Sequence, residues 1–93
     1  MAVKSILLIE DNPDDRFFIK KYLSMGNLKG WEIAEAVRLS DAIEYIEQTT
    51  PEVILLDLSL PDSHGEETFN QAKRNAPHIP IVILTGLSDI NVS

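Results

Sequence analysis

The sequence predicts an α/β fold built on a parallel, doubly wound sheet. Two observations carry this. Short apolar runs without polar alternation, such as Ile6-Leu7-Leu8-Ile9 and Val53-Ile54-Leu55-Leu56, read as strands covered on both faces. Segments with apolar residues at helical spacing separate them, and strand-helix alternation along a chain is what right-handed crossovers between parallel strands produce.

Taken in order, Ser5-Ile6-Leu7-Leu8-Ile9 is the first strand, ended by Glu10-Asp11-Asn12-Pro13. Pro13 suits a first helical turn, Asn12 its cap, and Asp14 and Asp15 its positive end. Phe18, Ile19, Tyr22 and Leu23 supply that helix's apolar face, and Gly26 and Gly30 bracket the following turn. Trp31-Glu32-Ile33-Ala34-Glu35-Ala36 alternates as a second strand. Ser40 is placed to cap a second helix with Ala42, Ile43 and Ile46 inward and Asp41, Glu44 and Glu47 outward; Thr49-Thr50-Pro51 stops it. The third strand ends at Asp57, and a loop with Pro61, Asp62 and Gly65 leads into a helix over 66–74 that turns Phe69 and Ala72 inward. Residues 81–86 form the last strand, and Ser88 is placed to cap a further helix.

Ninety-three residues without linker, repeat or low-complexity segment predict one domain over 1–93. A hydrophobic share of 44% against 25% charged suits a globule rather than a disordered chain. Eight basic and 15 acidic residues give a net charge of −7, which argues against binding a phosphate backbone. The absence of Cys excludes disulfides, thiolate nucleophiles and cysteine-based zinc sites. No apolar run is long enough for a membrane span, and the start does not read as a signal peptide, so the expected compartment is the cytoplasm.

In doubly wound sheets, ligands bind beyond the carboxyl ends of the strands, where strand order reverses. Glu10-Asp11, Asp57 and Thr85-Gly86 close the first, third and fourth strands. In a flavodoxin-like order 2-1-3-4, the first two sets share a small volume. Repelling carboxylates are tolerated when a cation neutralises them, and oxygen donors alone select a hard ion, Mg²⁺ above all. Asp57 then reads as a carboxylate nucleophile for a phosphoryl group, with Thr85 a hydrogen-bond donor to it. Taken singly, each residue has an ordinary explanation as helix cap, helix-start charge or strand-end hydroxyl. Their convergence on one sheet edge favours the site. His64 and His78 lie in loops without metal-ligand spacing, and the aromatics read as packing residues.

These residues resemble the receiver domain of two-component response regulators from about Ile6 to Ser88. The resemblance rests on Ile6-Leu7-Leu8-Ile9-Glu10-Asp11-Asn12, Val53-Ile54-Leu55-Leu56-Asp57-Leu58-Ser59-Leu60-Pro61-Asp62, Gly65, and Ile79-Pro80-Ile81-Val82-Ile83-Leu84-Thr85. It implies that Asp57 accepts a phosphoryl group from a histidine kinase or phosphotransfer protein. It further implies that Mg²⁺ is held by Asp11, Asp57, the Ser59 carbonyl and, through water, Glu10. Thr85 takes the role of switch hydroxyl. Receivers continue through a fifth strand, whose terminal Lys pairs with the phosphoryl group, and last helices. The expectation for these 93 residues, which lack them, is Mg²⁺ binding with slow phosphorylation and self-association through the open fourth strand.

Two other functions compete with this phospho-acceptor, which is not a turnover enzyme. One is a non-phosphorylated interaction or dimerisation module with the same fold. The other is an Mg²⁺-dependent phosphohydrolase of the haloacid dehalogenase type. Such an enzyme needs an acid two residues after the nucleophile, where this chain has Ser59. A nucleotide-binding flavodoxin-like protein fits poorly, because the acids of 10–15 repel an anion where backbone amides are needed.

Overall fold

The computed structural model describes residues 4–26, 28 and 30–84. Four parallel strands, β1 (Ser5–Ile9), β2 (Glu32–Ala36), β3 (Val53–Asp57) and β6 (Ile81–Leu84), form the sheet in the order β2-β1-β3-β6. With β6 the fourth of the sequence-derived strands, this is the expected 2-1-3-4 order. The central position of β1 explains its composition: Ile6, Leu7, Leu8 and Ile9 are at most 2% exposed. Register aligns the carboxyl ends, with Ile9 opposite both Ala36 and Leu56, and Asp57 opposite Leu84.

Three helices, α1 (Pro13–Met25), α2 (Leu39–Gln48) and α3 (Gly65–Asn75), make the crossovers. Between β3 and α3 lies a small antiparallel hairpin of β4 (Ser59–Leu60) and β5 (Ser63–His64). Leu39 and Ala42 of α2, Ala72 of α3 and the inward residues of β1 and β3 build the main core, with Phe69, Ile43 and Ile46 packed against it. On the other face, Leu23 of α1 lines one cavity together with Ile6 and Ile33. None of the helices described here is long and apolar enough to cross a membrane.

Helix α1 begins as its sequence dictates. The Asn12 side chain accepts from the amides of Asp14 (2.9 Å) and Asp15 (3.1 Å), and Pro13 occupies the first turn. Gly30 adopts φ 90°, a left-handed turn conformation that disfavours a side chain.

Besides the hairpin, found where a loop is expected, two details depart from expectation. Phe18 and Tyr22 are 50% and 72% exposed, leaving Ile19 and Leu23 as the half-buried pair. Arg16 and Lys20 bind Glu35 of β2, so one flank of α1 faces that strand and Phe18, Tyr22 and Met25 fall on the opposite flank. Second, Ser40 does not cap α2. The helix starts at Leu39, two residues before a Ser40 cap would place it; its flanking Arg38 supplies no side-chain cap, and Asp62 from the distant hairpin does instead.

Candidate functional site

Glu10 follows the last residue of β1 and inherits that strand's burial, at 2% exposure. Its amide donates to the Ala36 carbonyl (3.0 Å), extending the β1–β2 pairing by one bond. Its carbonyl accepts from Arg16 Nη1 (2.9 Å), and its Oε2 accepts from the Asn12 amide (3.2 Å). Arg16 Nε also lies 3.3 Å from Glu35 Oε1, so a single guanidinium ties the end of β1 to β2. Asp11, next in the chain, reaches solvent.

Asp57 ends β3 and is half-buried; its Oδ1 accepts from the Ser59 amide at 3.1 Å. One carboxylate oxygen from each of Glu10, Asp11 and Asp57 lies within 4.8 Å of the others. The strand order thus brings Asp57 to two acids 46 and 47 positions earlier in sequence. His64 and His78 are exposed and do not belong to this cluster. Ser59 is exposed at the start of β4, while Thr85 lies outside the described residues.

The crowding has an electrostatic consequence. Burial raises the pKa of Glu10 from 4.5 to about 8, helped by a hydrogen bond with Asp57 and by the charges of Asp57 and Asp15; the Asn12 amide opposes the rise. A divalent cation would reverse that balance by favouring all the ionised forms. The donor set fits a hard ion: carboxylate oxygens, one of them open to water, and no nitrogen or sulfur.

Sequence reasoning missed two residues near the site. Arg16 sits one helical turn after Asn12, and side chains on a helix lean towards its N-terminus, which places the guanidinium at the Glu10 carbonyl. Asp62, read as part of a turn, instead accepts from the Leu39 (2.9 Å) and Ser40 (3.0 Å) amides. No local signal announces a cap supplied from 22 residues away.

The family model of the response regulator receiver domain matches residues 6–93. Response regulator protein VraR of Staphylococcus saprophyticus is 33% identical over 98% of this chain and 43% of its own length. A probable cyclic di-GMP phosphodiesterase of Vibrio cholerae is 34% identical over 91% of this chain, but only 19% of its own. The chain therefore spans less than half the length of either relative. Among solved structures, the bacteriophytochrome response regulator AtBRR superposes with a TM-score of 0.79 at 33% identity, covering 91% of this chain and 68% of that one. The receiver domain of a Pseudomonas aeruginosa sensor histidine kinase, with a magnesium ion coordinated in its active-site cleft, superposes with a TM-score of 0.76 at 26% identity, covering 97% and 73%. Fold, acid cluster and relatives agree, and the chain belongs to the response regulator receiver domain family.

Proposed function

We propose that this chain works in phosphorelay signalling as a phospho-acceptor, with Asp57 receiving the phosphoryl group from the phosphohistidine of a histidine kinase or phosphotransfer protein. The observation that carries this reading is the convergence of Glu10, Asp11 and Asp57 within 4.8 Å at the ends of adjacent strands. In the transfer, a carboxylate oxygen of Asp57 forms a bond to phosphorus as the phosphorus–nitrogen bond breaks, and the imidazole leaves with the donor. The Ser59 amide, bound to Asp57 Oδ1, orients the carboxylate for this attack.

Glu10, Asp11, Asp57 and the Ser59 carbonyl are the proposed holders of Mg²⁺. When bound, the ion neutralises the acids and the charge of the transferring group. Thr85 is assigned the switch hydroxyl on the strength of the family pattern. The chain acts as one receiver unit over 1–93, in the cytoplasm, as an acceptor rather than a turnover enzyme. A net charge of −7 supports partners other than nucleic acid.

Acetyl phosphate with Mg²⁺ adds one phosphoryl group to the wild-type chain, detected by intact mass, and none to Asp57→Asn. An unlabelled wild type, or label surviving in the variant, overturns the assignment.

A second proposal concerns assembly: two copies associate through β6. Val82 and Ile83 are 48% and 45% exposed, and β6 is an edge of the sheet among the described residues. Sedimentation should show a mass that rises with concentration; a constant monomer mass excludes this contact.

A further inference from the structure

We propose that Asp62 is a positioning residue of the acid pocket, a strut that fixes the β4–β5 hairpin, and with it the Ser59 carbonyl, against the start of α2. This rests on the reading of the pocket as an Mg²⁺ site and assigns a residue outside the cluster to it.

The hairpin has two residues in each strand, too few to hold its own position. Its inner side is anchored by buried Leu60 and by the Ser63–Thr68 hydroxyl pair at 2.7 Å. Its tip, Pro61-Asp62, is exposed. The Asp62 carboxylate meets the amides of Leu39 and Ser40 with both oxygens, and Arg38 leaves those amides no local cap. Leu39 is 3% exposed within the core, so the helix start is a fixed post.

A ring of contacts then closes around the pocket. Glu10 bonds to Ala36 at the end of β2, which leads through two residues into α2. Asp62 connects α2 to the hairpin, and Ser59 returns to Asp57. The arm carrying Glu10 and Asp11 and the arm carrying Asp57 and Ser59 are thus held at their spacing twice, by the β1–β3 pairing and by Asp62. Partners of this kind, one step removed from the ligands, typically change metal affinity by about 10–100-fold when lost.

The difficulty is to separate a strut from an ordinary helix cap. Asp62→Ala removes both roles. Arg38→Asn with Asp62→Ala restores a local cap but not the connection, and Arg38→Asn alone is the reference for it. Mg²⁺ affinity is read by amide shifts in a titration, stability by urea unfolding, and the hairpin by amide hydrogen exchange of 59–64 without metal. Expected results are Mg²⁺ binding weakened about tenfold and faster hairpin exchange in Asp62→Ala, with the double variant recovering stability but neither of these. Unchanged affinity and exchange in Asp62→Ala, or full recovery of both in the double variant, overturns the strut. If the wild type itself fails to saturate with Mg²⁺, the metal reading falls instead, and metal-free hairpin exchange still decides whether Asp62 fixes the loop.

Discussion

Glu10 and Asp62 are both carboxylates at the carboxyl edge of the sheet, yet their proton affinities move in opposite directions. Burial pushes each towards the neutral form. At Glu10 that push wins, because Asp57 adds to it and a single amide opposes it; its pKa stands at about 8. At Asp62 the amides of Leu39 and Ser40 together outweigh the burial cost and hold the carboxyl below the usual range. The difference lies in depth first and in partners second: Glu10 is buried and meets one amide, whereas Asp62 is exposed and meets two. One carboxylate is crowded by another acid, the other is met by amide donors the fold already provides.

The most severe way to break this contrast is Asp57→Asn. It removes the carboxylate that reinforces Glu10, so the Glu10 pKa falls from about 8 back towards 4.5, read by carboxyl NMR titration. Phosphoryl uptake is lost entirely in the same variant.

Glu10→Gln comes next. A folded-state pKa above the unfolded one means that the folded chain keeps a proton the unfolded chain releases between pH 4.5 and about 8. Metal-free stability therefore falls as pH rises through that window, and the amide variant lacks this slope. In EDTA at pH 7, Glu10→Gln should be more stable than wild type by on the order of 3 kcal/mol. Urea unfolding at pH 5 and pH 8 checks the sign, and its Mg²⁺ affinity should drop at least about tenfold.

How far these two environments were legible in the sequence follows from the range of their causes. The acid pocket was readable because each acid directly ends an apolar run, and parallel strands align such ends. Asn12, Pro13 and the acids after them announced α1 through contacts within one turn. The β4–β5 hairpin was not announced, since Ser59-Leu60 and Ser63-His64 are too short to show a period. The cap of α2 was misassigned to Ser40 because a local hydroxyl is visible in sequence and a remote carboxylate is not. The exposure of Phe18 and Tyr22 was hidden likewise: helical spacing defines a face, but Arg16 and Lys20, by reaching Glu35, decide where it points.

Asp62→Ala tests the other half of the contrast and carries the opposite pH sign. A depressed folded-state pKa contributes stability above the unfolded value of 3.8 and loses it as pH falls through the folded one. The variant should be less stable than wild type by about 1 kcal/mol at pH 7, the usual worth of an N-cap. That gap should close in acid, where both proteins lack the ionised cap. A gap of equal size at pH 7 and at pH 2 would show that Asp62 acts through packing instead.

The smallest expected effect comes from Lys20→Met, and it sharpens the same point about partners. Lys20 and Arg16 both bind Glu35, but the Lys20 side chain is 44% exposed and the Arg16 side chain 20%. An exposed pair contributes little once side-chain entropy and salt screening act, so Lys20→Met should change stability by no more than about 0.5 kcal/mol. Arg16→Met removes the same charge from Glu35 and also the donor to the Glu10 carbonyl. If Lys20 were as important to Mg²⁺ affinity as Arg16, the net charge near the pocket would matter more than the bond to its backbone. Equal stability losses alone would not show that, because only Arg16 touches the arm that carries Glu10 and Asp11. The measurement that separates them is Mg²⁺ titration, where Arg16→Met should weaken binding and Lys20→Met should leave it unchanged.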